Sequence, residues 1–247
     1  MPAAFDAGIN CFFVSTDRYW PFYEQTRRGL KLLLARGSAV RDRIVVVATS
    51  YCTQPDFCWL PYRELVEAVP GLGRLDVMVA GGALLPEFRQ RLEILKRQRS
   101  ERYLGAVAIG ASFHQRRQAR AAIQAGELDL AFVRYNASHA GARRDLFPHL
   151  RRPRKTLVYN FFSTRGYTPP KEFARLGLDD RYWQPTITDH YRFVLTRPEL
   201  DGILCALTNE RHVRELADAI ERGPLAEAEQ KYVIDLSSLT EGRAKRA

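Results

Sequence analysis

Short runs of Val, Ile, Leu, Phe and Ala alternate along this chain with stretches whose apolar residues recur at helical spacing. Seven runs read as strands: 9–15, 44–50, 75–80, 106–111, 129–135, 156–162 and 203–207. Nearly every position in them is apolar, the pattern of strands covered on both faces. The stretch 23–35 reads as a helix that stops at Arg36-Gly37, and 210–222 reads as one that stops at Gly223-Pro224. The stretch 86–99 places Phe88, Leu92, Ile94 and Leu95 on one side and charges on the other. Residues 115–125 form a further helix, ended by Gly126, and 191–196 another. The proline-containing section 168–190 reads as an insertion.

Strand and helix in regular turn imply parallel pairing through right-handed crossovers. The expected fold class is α/β, a (β/α)8-type barrel with seven of its strands in this chain and incomplete at its N-terminus. An open doubly wound sheet is the alternative, but no strand is followed by G-x-G-x-x-G. The expected organisation is one domain over residues 1–239 and a disordered polar tail over 240–247. A barrel one strand short would expose unpaired edges, which invites a homo-oligomer.

Composition narrows the reading further. No apolar run approaches a membrane span, and the opening residues have no signal-peptide pattern, so the expectation is a soluble, cytoplasmic chain. Cys11, Cys52, Cys58 and Cys205 fit no zinc spacing, and no metal is expected. The net charge of +10 admits a nucleic-acid partner, but all but six of the 38 basic residues are arginines in an alanine-rich chain, which argues for base-composition bias instead. The densest basic stretch, Arg143, Arg144, Arg151, Arg152, Arg154 and Lys155, precedes a strand and so belongs at the barrel end away from the chemistry.

In a barrel the chemistry gathers where strands end. Those ends carry Asp17, Arg18 and Tyr19 after the first strand, Ser50 and Tyr51 after the second, and Gly81 after the third. His114, beside Arg116 and Arg117, follows the fourth strand, and His139 follows the fifth; either imidazole could move a proton near neutral pH. Ser163, Thr164 and Arg165 follow the sixth. Thr208, Asn209 and Arg211 follow the seventh and open a helix, whose N-terminus offers free N–H groups to a phosphate. Helix capping by Thr208 or Asn209 is the competing explanation.

The same strand ends resemble the aldo-keto reductases. Ala7-Gly8-Ile9-Asn10, the Arg43-to-Thr49 run, Leu75-Asp76, Ile109-Gly110-Ala111-Ser112-Phe113, Arg134-Tyr135-Asn136, Leu157-Val158-Tyr159 and the closing unit from Arg192 to Leu225 follow the family's order. The resemblance implies an NADPH-dependent oxidoreductase acting on a small carbonyl compound, with NADH as the alternative cofactor. It implies cofactor contacts from Ser112, Asn136, Tyr159, Arg165, Thr208, Asn209 and Arg211. Its catalytic tetrad is Asp, Tyr, Lys and His. Tyr19 matches the Tyr when one extra residue is allowed, and Asp17 stands nearest the Asp. Ser50 occupies the Lys position and Gly81 the His position, so the tetrad is degenerate and His114 is a further candidate acid. The alternative is a barrel that has lost redox chemistry: a dehydratase- or isomerase-type enzyme, or a binding protein without catalysis.

Overall fold

The structure is a computed structural model that describes residues 1–100, 105, 108–151 and 154–244. In chain order its elements are α1 (Pro2–Asp6), β1 (Cys11–Ser15), α2 (Tyr23–Leu34), α3 (Ser38–Asp42), β2 (Val45–Ser50), α4 (Leu60–Ala68), β3 (Val77–Ala80), α5 (Phe88–Ser100) and β4 (Ala108–Phe113). They continue with α6 (Arg116–Ala125), β5 (Leu130–Arg134), α7 (Ala142–Asp145), β6 (Leu157–Phe161), α8 (Pro170–Arg175), α9 (Ile187–Leu195), β7 (Gly202–Ile203), α10 (Glu210–Arg222) and α11 (Glu227–Ala244). One seven-stranded sheet runs β1 to β7 in sequence order. The pairs β1–β2, β2–β3, β3–β4 and β6–β7 are parallel. The fold class is that of an incomplete (β/α)8 barrel.

The chain divides into two compact units: Met1–Phe132 with Pro153–Leu157, and Val133–Arg152 with Val158–Ala247. Within the first unit the sheet curls. Phe13 of β1 and Phe132 of β5 meet edge to face with ring centroids 5.5 Å apart. Four steps across a flat sheet would separate those strands by about 19 Å. The two rings therefore fill the concave side. Register places Phe13 beside Val47, Val47 beside Val77 and Val79 beside Gly110, so the same face carries this set along the strands.

The starts of alternate strands share one device. The dipeptide Leu-Asp precedes β3, β5 and β7 at Leu75-Asp76, Leu128-Asp129 and Leu200-Asp201. Asp76 accepts from the Val46 amide at 2.7 Å, and Asp129 from the Ile109 amide at 2.8 Å. In the second unit Asp201 accepts from the Val158 amide at 2.8 Å. Each carboxylate satisfies a strand-end N–H that the ladder leaves open. Arg41, buried beneath Asp76, also donates to the carbonyls of Leu72, Ile44 and Arg74.

Helix ends follow their residues. Gly126 closes α6 in the left-handed region at φ 61°, and Gly223 follows α10 at φ 70°. Other boundaries differ from expectation. The α9 helix begins at Ile187, four residues earlier than 191, because Thr186 and Asp189 form a reciprocal capping box. The section read as an insertion holds α8. The α11 helix runs through residues 240–244, where a tail was expected to begin; residues 245–247 lie outside the described residues. So do residues 106 and 107 of the expected fourth strand and Arg152 of the basic stretch. The last strand is only two residues long. Among the described residues, no helix is long and apolar enough to cross a membrane, and no cluster of three or more His, Cys, Asp or Glu side chains could hold a metal ion.

In the second unit, His190 on α9 is 2 % exposed with its Nδ1 unpartnered, and its ring meets Tyr167 edge-on. Burial lowers its pKa to about 4, against a smaller opposing effect from Asp189. The folded imidazole is thus neutral, while the unfolded one takes a proton near pH 6.5. The unfolded state binds more protons below that point, so stability is full above pH 6.5 and falls as pH drops toward 4. The expected loss is about 3 kcal/mol across that interval. Urea titrations at several pH values should show it in the wild type and a much flatter profile in His190→Gln. Parallel profiles would assign the loss elsewhere.

Candidate functional site

The first unit's strand-end rim centres on Tyr51, a strand-end residue that the sequence reading did not choose as the acid. A Cβ placed on Gly81 would lie 2.7 Å from two ring carbons of Tyr51, so the Tyr51 ring covers the face of that glycine. Ser50 pairs in register with Ala80, one step before Gly81. Alternation along a strand then turns Ser50 to the opposite face and Tyr51 to the face of Gly81. The residue beside the histidine position is therefore Tyr51, and Ser50, matched to the lysine, points away from it. The Ser50 hydroxyl instead accepts from the Cys52 amide at 3.1 Å.

Tyr51 is held from four directions. Its ring stacks on Trp20 with centroids 6.3 Å apart and planes 10° from parallel. Its amide donates to the Asp17 carboxylate at 3.3 Å. Its hydroxyl lies near the Ser112 side chain, which acts to lower its pKa. Behind it, the Arg91 guanidinium donates to the carbonyls on either side: Gly81 O at 2.8 Å and Ser50 O at 3.0 Å. Arg91 is 1 % exposed. Burial raises the Tyr51 pKa above the ordinary phenol value; the Ser112 contact works against that shift and Asp17 adds to it. The residue remains 39 % exposed, so the rim is open to a ligand there.

The residues selected from sequence fall differently. Asp17 is in place, bonded to Ser15 Oγ at 3.2 Å and to Tyr51 through its amide. Tyr19 is 100 % exposed, so its hydroxyl is not held against any strand end. Its neighbour Arg18 pairs with Glu64 at the surface. His114 lies exposed in the turn between β4 and α6. Asp17 and Ser112 converge on Tyr51, while Tyr19 stands apart from that contact.

In the second unit, Asn136 is fully buried and both ends of its amide are used. It donates to Phe162 O at 3.0 Å and accepts from the His139 amide at 2.9 Å. It caps a short turn, Ala137–His139, through its carbonyl. Asn160 does similar work, donating to Tyr135 O at 2.9 Å and accepting from Ser163 Oγ at 3.2 Å. These bonds hold Phe162 at φ 59°, the left-handed region that a bulky side chain rarely enters. Tyr159 repeats the arrangement of Tyr51: a Cβ on Gly202, its register partner, would lie 2.6 Å from its ring.

Arg165 is exposed in the turn after β6. Thr208, Asn209 and Arg211 sit together at the start of α10. Asn209 is the helix cap, accepting from the His212 amide at 3.1 Å, and Thr208 Oγ1 is 3.1 Å from His212 Nδ1. Arg211 is 72 % exposed on its side chain, 3.7 Å from Glu215. Capping occupies the Asn209 carbonyl but leaves the first N–H groups of α10 pointing outward.

Two signals in the sequence mark the residues that were missed. Tyr51 follows Thr49 by two, and so shares its face. Arg91 stands three residues after Phe88 and four before Leu95, a charge on an otherwise apolar stripe.

No family model matches the chain, and no curated protein matches it. Solved structures do. The chain superposes on an aldo-keto reductase from Bacillus halodurans in its holo form with a TM-score of 0.71, at 14% identity over 96% of this chain and 84% of that one. An aldo-keto reductase from Klebsiella pneumoniae in complex with NADPH gives 0.70 at 14% identity, over 96% and 82%. A glycerol dehydrogenase from Gluconobacter oxydans gives 0.66 at 13% identity, over 95% and 83%. At these identities the likeness is one of architecture, and on that ground the chain has the aldo-keto reductase fold.

Proposed function

We propose that this chain is a nicotinamide-dinucleotide-dependent oxidoreductase acting on a small carbonyl compound, with NADPH as the cofactor. The observation that carries the reading is the superposition over 96% of the chain on a structure that holds NADPH. The second unit's own residues fit the phosphate end of such a ligand. Arg165, the Thr208 hydroxyl, Arg211 and the outward N–H groups of α10 would bind it there. A bound reduced nicotinamide supplies hydride; the protein's part is to hold a carbonyl and deliver a proton. All four cysteines are free thiols, which suits a reducing compartment such as the cytoplasm.

The direct test is titration of NADPH and NADH against the emission of Trp20, Trp59 and Trp183. Quenching with energy transfer to the nicotinamide is expected, and no binding at millimolar cofactor overturns the reading. Arg211→Ala should weaken NADPH by roughly tenfold and NADH by less than twofold, because only NADPH carries the 2′-phosphate that a charge-assisted bond would hold. Equal losses for both cofactors would remove Arg211 from that role.

A second reading is favoured by the ring over Gly81. The glycine carries no imidazole, and Ser50 carries no amine, so the two groups that tune the family's acid are missing. A protein of this fold that binds the dinucleotide without turnover would show quenching but no NADPH consumption with any aldehyde or ketone.

A further inference from the structure

We infer that Tyr51, at the end of the second strand, is the proton donor of this protein. The inference rests on the oxidoreductase reading. It departs from the sequence match, which points to Tyr19.

A proton donor has to be fixed within hydrogen-bond reach of the reacting oxygen. Tyr19, fully exposed, is not fixed. Tyr51 is fixed at every part of the residue. Asp17 takes its amide N–H, and Trp20 stacks on its ring. Gly81 lies under the ring with no side chain to displace it, and Ser112 meets its hydroxyl. Arg91 pins the carbonyls of Ser50 and Gly81, which sets the spacing of the two strand ends that the ring bridges. The ring thus occupies the ground left by the absent histidine, with its hydroxyl on the same strand-end rim.

In the step proposed, a bound reduced dinucleotide would give up hydride, its C–H bond breaking as the ring becomes the oxidised nicotinamide, and the substrate carbonyl carbon would take that hydride. The π electron pair moves to oxygen as the C–H bond forms, and that oxygen takes the proton from Tyr51 Oη. The tyrosinate left behind recovers a proton from water. Ser112 steadies the hydroxyl before and after transfer. In the reverse direction the tyrosinate accepts the proton of an alcohol.

Tyr51→Phe keeps the ring over Gly81 and against Trp20 and removes only the hydroxyl. The expected result is a kcat at least 100-fold lower, with the carbonyl KM and the NADPH dissociation constant within twofold of wild type. Melting temperature and tryptophan emission should be unchanged, which excludes a folding defect. Tyr19→Phe should retain kcat within twofold. Tyr51→Phe with wild-type kcat overturns the inference while leaving the oxidoreductase reading intact. A wild-type protein that turns over no carbonyl overturns both. Should Tyr51→Phe fold poorly, Ser112→Ala supplies the second variant: a three- to tenfold loss in kcat without a change in NADPH affinity supports the inference, and an unchanged kcat opposes it.

Discussion

Arg91→Ala should cost this protein about 3–5 kcal/mol of stability, the largest effect of any single change considered. The guanidinium is almost completely buried, and its two hydrogen bonds go to backbone carbonyls at the ends of neighbouring strands. Removing it takes the donor from Gly81 O, at a desolvation cost of about 1–3 kcal/mol, while Ser50 O keeps the Gly81 amide at 2.9 Å. It also leaves a cavity behind Cys58, whose Sγ donates to the Arg91 carbonyl, and beneath Tyr62, whose hydroxyl donates to Val79 O. Relief works in the other direction: Arg91 Nε has no partner, and deleting a desolvated cation recovers part of the loss. Arg91→Met separates the contributions, since it keeps the volume and the apolar stem while deleting the donors. Equilibrium denaturation in urea should rank wild type above Arg91→Met and Arg91→Met above Arg91→Ala. A loss under 1 kcal/mol for the alanine variant would mean that the strand ends hold without the clamp.

Much of the architecture was legible because each element carried its own punctuation. The α10 helix is bounded by Asn209 and Gly223, residues that cap for reasons of hydrogen bonding and backbone freedom, and it spans Glu210–Arg222 as read. Strands covered on both faces betray themselves by unbroken apolar runs, and all seven exist. What the match leaves out is parity. Matching Ser50 to a lysine aligns positions along a strand, but function depends on which face a position shows, and one residue reverses the face. Register with β3 puts Tyr51, and not Ser50, on the face of Gly81. Asn136 is hard to read for a different reason. Its residue type suits a ligand and a turn cap equally, and the cap becomes visible only with its partners, Phe162 O and the His139 amide. The early start of α9 was hidden by the neighbouring prolines, although Thr186 and Asp189 stand at capping-box spacing.

Gly81→Ala should destabilise the protein by about 2–3 kcal/mol, and the sign should reverse once Tyr51 is gone. The added methyl would sit 2.7 Å from the Tyr51 ring, so the ring must lift. Lifting it breaks the stack on Trp20 and draws the hydroxyl from Ser112. The backbone itself raises no objection, because Gly81 is not among the glycines held at positive φ. In a Tyr51→Ala background the methyl meets no ring, and the same substitution should stabilise by about 0.4–1 kcal/mol through the lower entropy of the unfolded chain. The pair therefore forms a double-mutant cycle with a coupling energy near 3 kcal/mol, at the upper end of what contacting residues show. Tyr159 over Gly202 supplies an internal replicate in the second unit, where the clearance is 2.6 Å. Both pairs place a large ring across a bare glycine on the next strand, an arrangement that restores to the sheet the apolar cover a glycine lacks. If Gly81→Ala costs the same with and without Tyr51, the ring is not seated on that glycine in solution. The placement of Tyr51 as proton donor would then lose its geometric basis, whatever the turnover measurements show.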